Sequence, residues 1–268
     1  MKYFKTIRTK VLIFCFIMSP FSNLHANRLE KNTSTILVLG MEMSNMRDML
    51  KSYILIGANV KYRNPTKKLK EGMIHYENML HTIQANYADD MVMQRSLKRS
   101  KEAWPIVRKA MKLALQNESL EKLKEGAIFI HGNIRTVIKE MAYMKKHLFE
   151  ISNIKDKESL NASIEIAASA RRLSAHYMMD LWHLDDVTIE KHWEKGMQIY
   201  GDSLIILQNS TYMENPKFAT LFRSAKKLHH YFKRMWGKPK IFSILIDKKA
   251  NLAFKQAKEM TQIILHSK

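Results

Sequence analysis

The sequence predicts an all-α protein: two tandem antiparallel four-helix bundles behind an N-terminal signal peptide. Three observations carry this. Glycine and proline number only 8 and 5 in 268 residues, whereas lysine, leucine, methionine, alanine and glutamate dominate. The first two break helices and populate turns, and the other five favour helix. Apolar residues recur at alternating spacings of four and three, the signature of a buried helical stripe. One stretch of chain also returns 124 residues later with matching identities.

The first segment, 1–26, reads as a secretory signal. Lys2, Lys5, Arg8 and Lys10 form a basic start, Val11 to Met18 an apolar run, and Pro20 and a short polar stretch lead to Ala26. The run falls short of the ~20 apolar residues that span a bilayer. The expected location is therefore periplasmic, with an uncleaved inner-membrane anchor as the alternative. Cys15, the single cysteine, lies inside this segment. Phe14 before it is too large for a good lipoprotein site. The mature chain then has no cysteine, which excludes disulfides, thiol nucleophiles, Cys-x-x-Cys-His haem attachment and cysteine zinc sites.

With 46% hydrophobic residues the mature chain can build a sizeable core. Removing the four basic residues of the signal from the 45 in the chain leaves 41 against 25 acidic, a net charge of +16. Anionic partners are favoured, whether small anions or an anionic membrane face, although a lysine-rich solvated surface explains the same balance. Export argues against nucleic acid.

The expected units are 27–152 and 153–268. Helices are expected over roughly 30–60, 65–87, 90–116 and 119–150, then 158–184, 187–209, 215–236 and 242–266. In the second helix Leu69, Met73, Tyr76, Leu80, Ile83 and Tyr87 form one stripe, with Asn64 placed to cap and Pro65 at the first helical position. The sixth repeats it as Trp193, Met197, Tyr200, Leu204 and Leu207. Gly72-Met73, Tyr76, Leu80 and Gln84 correspond to Gly196-Met197, Tyr200, Leu204 and Gln208. Leu97, Arg99-Ser100, Lys109 and Met111 then match Leu221, Arg223-Ser224, Lys233 and Met235 without a gap. A shared helical period alone does not hold one register across two helices and their connection. Lys139-Glu140-Met141 echoes Lys258-Glu259-Met260 at a slightly shorter offset. Asn153 to Lys157 is the only visible break between the copies.

The first helix of each copy carries the suggestive residues. Leu39-Gly40 leads through Met43, Arg47 and Met49 to Lys51, Tyr53, Ile54 and Leu55. Ala167-Ala168 leads through Arg171, Leu173-Ser174 and His176 to Leu181-Trp182. With the capped second helix at Asn64-Pro65 and a central Trp104 in the third, these resemble the type IV pilus methyl-accepting chemotaxis transducer N-terminal domain. That domain is similar to the periplasmic sensor of nitrate/nitrite histidine kinases. The resemblance covers most of each copy. It implies a periplasmic bundle that senses a small ligand, with an anion held between two subunits by the arginine three places after the glycine. That place is Met43 in copy one and Arg171 in copy two. The second motif arginine falls at Asp48, beside Arg47, and at His176. Copy one thus departs at the ligand arginine, which leaves Arg171 as the leading candidate.

A guanidinium offers paired donors suited to oxyanions. Arg171 and Ser174 share one helix face, and the ligand-binding candidates are Arg171, Ser174, His176, Arg47 and Lys51. The competing reading leaves Arg171 and Arg172 exposed and merely solubilising. The two copies are expected to pair within one chain or to form a homodimer, and to signal through a separate envelope or membrane-bound protein. An adaptor that docks through its basic surface is the alternative.

No metal and no cofactor is expected. Met41, Met43, Met46 and Met49 are the residue type that holds copper(I), yet they fall mostly on a core stripe. His229-His230, His183 and His192 are read as surface residues. His147 or Met144 is the right type for a haem ligand, but nothing marks either out. Asp89-Asp90 and Asp185-Asp186 are read as helix caps, not catalytic pairs. No nucleophile elbow, phosphate loop or catalytic triad is present, and a non-catalytic protein is expected.

Overall fold

A computed structural model describes residues 3–116, 118–184, 188–238 and 243–267, with side chains from residue 28 onward except that of residue 181. The side chains of the expected signal segment, and the Asp185-Asp186 pair, lie outside the described residues. The described residues form eight α-helices and no strand. They are α1 (Tyr3–Gly57), α2 (Pro65–Asn86), α3 (Met91–Lys112), α4 (Leu120–Ile151), α5 (Lys157–Leu181), α6 (Thr188–Gln208), α7 (Pro216–Met235) and α8 (Ser243–His266). Short 3₁₀ turns follow α3 and α6.

Local chemistry sets the helix starts. The Asn64 side chain accepts from Lys67 N at 3.1 Å with Pro65 in the first turn, and Asp90 accepts from Val92 N and Met93 N at 3.1 and 3.0 Å. Asp156 caps α5 through Ser159 N at 2.9 Å. Asn215 caps α7 through Lys217 N and Phe218 N, again with a proline in the first turn. Each cap supplies an acceptor to amides that have no partner within the helix.

The expected stripes are buried. Leu69, Tyr76, Leu80 and Ile83 on α2, and Trp193, Tyr200, Leu204 and Leu207 on α6, all face the interior. Met43, Met46 and Met49 are core residues, and only Met41 of that group is exposed. Trp104 is buried against Tyr76, ring centroids 4.6 Å apart, with its indole N–H on Glu77 at 2.9 Å.

Helix α1 packs on α2 and α4, and α3 packs on α2 and α4. In the same way α5 packs on α6 and α8, and α7 packs on α6 and α8. The two sets meet where α1 lies against α5, and one continuous apolar core runs through both.

Small residues permit two of these approaches. A Cβ on Gly72 would lie 2.6 Å from Met49 Cγ on α1, and one on Gly196 would lie 3.2 Å from Leu173 Cδ2 on α5. Met49 and Leu173 are themselves 124 residues apart. The offset seen in the second and third helices therefore extends into the first helix of each set. Across the α1–α5 contact, a Cβ on Gly40 would overlap Ile164 Cγ2. Ile164 is the counterpart of Gly40 at the same offset. A residue that meets its own counterpart marks a local two-fold relation between paired elements.

Candidate functional site

The α1–α5 contact is apolar at Gly40 and Ile164, but two to three turns further along α1 it becomes heavily charged. Lys51 is 1% exposed, and its Nζ lies 2.5 Å from Asp48 Oδ1 and 2.5 Å from Asp247 Oδ1 on α8. Arg171 donates from Nη1 to Asn251 Oδ1 at 2.5 Å and pairs with Asp48 Oδ2 at 3.1 Å. Its guanidinium also stacks on Phe254, 4.6 Å from the ring centroid. Asn251 Nδ2 donates to Asp247 Oδ2 at 2.8 Å, and the Ser174 hydroxyl donates to Asp247 Oδ1 at 3.5 Å. Two buried cations thus meet two carboxylates, Asp247 buried and Asp48 partly exposed. Burial opposes ionisation of Asp48, but Lys51 and Arg171 outweigh it and hold its carboxyl below the usual range.

At the 124-residue offset Arg47 corresponds to Arg171, Asp48 to Arg172 and Tyr53 to Tyr177. The motif register instead equated Met43 with Arg171, one helical turn away. The two-fold counterpart of the Asp48–Arg171 ion pair is therefore Arg172 beside Arg47, two cations. Arg47 is 7% exposed, and its guanidinium donates to the Met43 carbonyl of its own helix at 3.2 Å. No carboxylate among the described residues pairs with it. The nearest field of opposite sign comes from Glu165, whose Oε1 is held by Lys145 at 2.6 Å. Burial first, and then the Arg172 charge, push Arg47 well below the usual arginine range. Arg172, half-buried, is lowered for the same first reason.

Beside this end three imidazoles converge from three helices: His131 on α4, His176 on α5 and His192 on α6. One ring nitrogen of each lies within 4.8 Å of the other two. The ring centroids are 5.1 to 5.6 Å apart, with His176 and His192 stacked and His131 edge-on to both. His176 is 6% exposed and its Nδ1 has no hydrogen-bond partner. Burial, then His131, Arg47, Arg172 and His192, hold the His176 ring well below the usual histidine range, so it is neutral near pH 7.

All five candidates from the sequence, Arg171, Ser174, His176, Arg47 and Lys51, are buried at or beside the α1–α5 contact. Lys51, Arg171 and Ser174 share the Asp48–Asp247 network, whereas Arg47 and His176 belong to the other end. The solubilising alternative fails for Arg171, which is 8% exposed. His192 is not a surface residue but half-buried in the imidazole cluster. His229 is half-buried too, held on the Met197 carbonyl at 3.1 Å, while His230 and His183 are exposed. His147 is engaged by Asp90 at 2.8 Å and Met144 is fully buried core.

Asp247, Asn251, Glu165 and His131 are not singled out by the sequence, and Arg172 and His192, read there as exposed, are half-buried. His131 sits on the buried stripe Ala127, Ile130, Ile134, and a histidine on such a stripe was the available signal.

No family model, curated protein or solved structure matches the chain.

Proposed function

We propose that the chain is an exported, non-catalytic ligand-binding module that recognises a small oxyanion between its two helical units and passes the change to a separate envelope partner. Each unit is read as an antiparallel four-helix bundle, and the α1–α5 contact as the intramolecular form of a subunit pairing. The packing order of the helices and the repeated glycine contacts support that organisation.

The observation that carries the anion is Arg47. A buried guanidinium without a carboxylate partner is strongly unfavourable unless something compensates it. Arg172 adds to the positive field at Arg47, and each guanidinium offers planar paired donors suited to carboxylate, nitrate, sulfate or phosphate. Arg171 is the weaker choice, because Asp48 and Asn251 already occupy its donors. Filling the Arg47 end with an anion would change how α1 sits on α5, and rearranged helix packing is a recognised route from ligand to partner.

A thermal-shift screen of the chelator-treated mature chain against oxyanions and small organic acids tests this. A ligand at 100 times its dissociation constant adds about 2.7 kcal/mol, which for a chain of this size corresponds to roughly 5–10 °C. The expected result is a shift that Arg47→Met abolishes and Lys217→Ala, an exposed control, leaves intact. A ligand that keeps its full shift in Arg47→Met would remove the site. A chain that responds to no anion, yet captures an envelope protein through its basic surface, would favour the adaptor.

A further inference from the structure

We propose that His131, His176 and His192 bind a single divalent first-row transition-metal ion, zinc fitting best, with a fourth coordination position left open. The three rings come from α4, α5 and α6, so the site joins the two halves of the chain. It stands on the three rings and does not require that an anion bind at Arg47.

The geometry is close to what an ion needs. A tetrahedral ion with zinc–nitrogen bonds of 2.0–2.1 Å sets its nitrogens roughly 3.4 Å apart. The rings already place one nitrogen each within 4.8 Å of the others. Side-chain rotations that bring each nitrogen inward by on the order of 1 Å close the difference, a movement within ordinary rotamer adjustment. Imidazole is a ligand for zinc, copper, nickel and iron, and hard oxygen-seeking cations such as calcium and magnesium find nothing here.

The burial of these groups also calls for an explanation. Histidine packed among core residues normally hydrogen-bonds through its ring nitrogens, and His176 Nδ1 does not. An ion between the rings satisfies that nitrogen directly. Three protein ligands leave one position for water or an anion, the arrangement of open zinc sites and not of closed structural ones. Arg47 and Arg172 lie on the His176 side and oppose a bare dication. They complement an ion that carries an anion, such as chloride or hydroxide, in its fourth position.

The test uses untagged mature protein stripped with a chelator and titrated with Co²⁺ in a chloride buffer free of oxyanions. Visible ligand-field bands of a tetrahedral site should grow to one equivalent and disappear when Zn²⁺ is added. Calorimetry with Zn²⁺ should give a stoichiometry of one. His131→Gln and His192→Gln should each weaken binding by at least about 100-fold, since losing a residue that merely orients a metal ligand already costs 10–100-fold. His230→Gln, an exposed histidine outside the cluster, should leave it unchanged. Circular dichroism checks folding, and the half-buried His192 keeps the test decisive if the His131 variant does not fold. No bound metal after dialysis of the folded chain, or binding that survives His192→Gln undiminished, overturns the site. Because oxyanions are absent, failure here is separate from failure of the thermal-shift screen.

Discussion

Asp48→Ala is expected to lower the unfolding free energy by about 3–5 kcal/mol, the usual cost of removing one partner from a buried ion pair. Asp48 is the shared carboxylate: its two oxygens meet Lys51 at 2.5 Å and Arg171 at 3.1 Å. Truncation leaves Lys51 dependent on Asp247 alone and Arg171 dependent on a neutral amide. Urea denaturation at pH 7 measures the loss. The pH dependence has a definite sign. The folded-state pKa of Asp48 is lowered, so its stabilising contribution is fully present above the unfolded value of about 3.9 and is lost as pH falls through the folded value. The gap between wild type and Asp48→Ala should therefore narrow below about pH 4. Adding Arg171→Met to Asp48→Ala should recover part of the loss, because it removes one of the two stranded cations.

Arg47→Met is expected to act in the opposite direction, raising the stability of the ligand-free chain by about 1–4 kcal/mol. Methionine keeps much of the side-chain volume, adapts to irregular space and removes a desolvated charge. Arg47 and Arg171 are equivalent by position, yet among the described residues Arg171 has a carboxylate opposite it and Arg47 does not. The same substitution at the two sites should therefore differ in sign: Arg171→Met leaves Asp48 with Lys51 alone, removes the donor to Asn251 Oδ1, and should destabilise. Urea midpoints of the two single variants, measured side by side without added anions, check this. A residue whose removal stabilises the chain and removes its ligand response is the expected trade between stability and function.

The helices were legible because their signals are local. The Asn64-Pro65 start, the four–three stripe of α2 and the break before α5 each involve a few neighbouring residues, and from α2 onward the observed helices follow the expected ranges closely, whereas α1 begins at Tyr3 and runs through Pro20 instead of starting near residue 30. The repeat of identities at one offset is visible in the sequence of α2 and α3.

The first helices were harder. A shift of four residues along a helix keeps a side chain on nearly the same face, so the periodicity of α1 and α5 accepts an offset of 128 almost as well as 124. The contacts of Gly72 with Met49 and Gly196 with Leu173 separate the two. That single turn decides whether Arg171 answers to Met43 or to Arg47, and so which arginine lacks a partner. The only local sign of the imidazole cluster is His131 on the buried stripe of α4. Its members are 45 and 16 residues apart along the chain, on three helices, and only packing brings them together. Asp247 and Asn251 escaped notice for the same reason, since nothing near them in sequence shows that α8 closes against α5 beside Lys51.

Crystals of the mature chain soaked in selenate and measured at the selenium edge locate a bound oxyanion without assuming where it lies. An anomalous peak between the guanidiniums of Arg47 and Arg172 is the predicted result. A peak displacing Asp48 at Arg171, or selenate confined to surface lysines while Arg47 stays bonded only to the Met43 carbonyl, would contradict it.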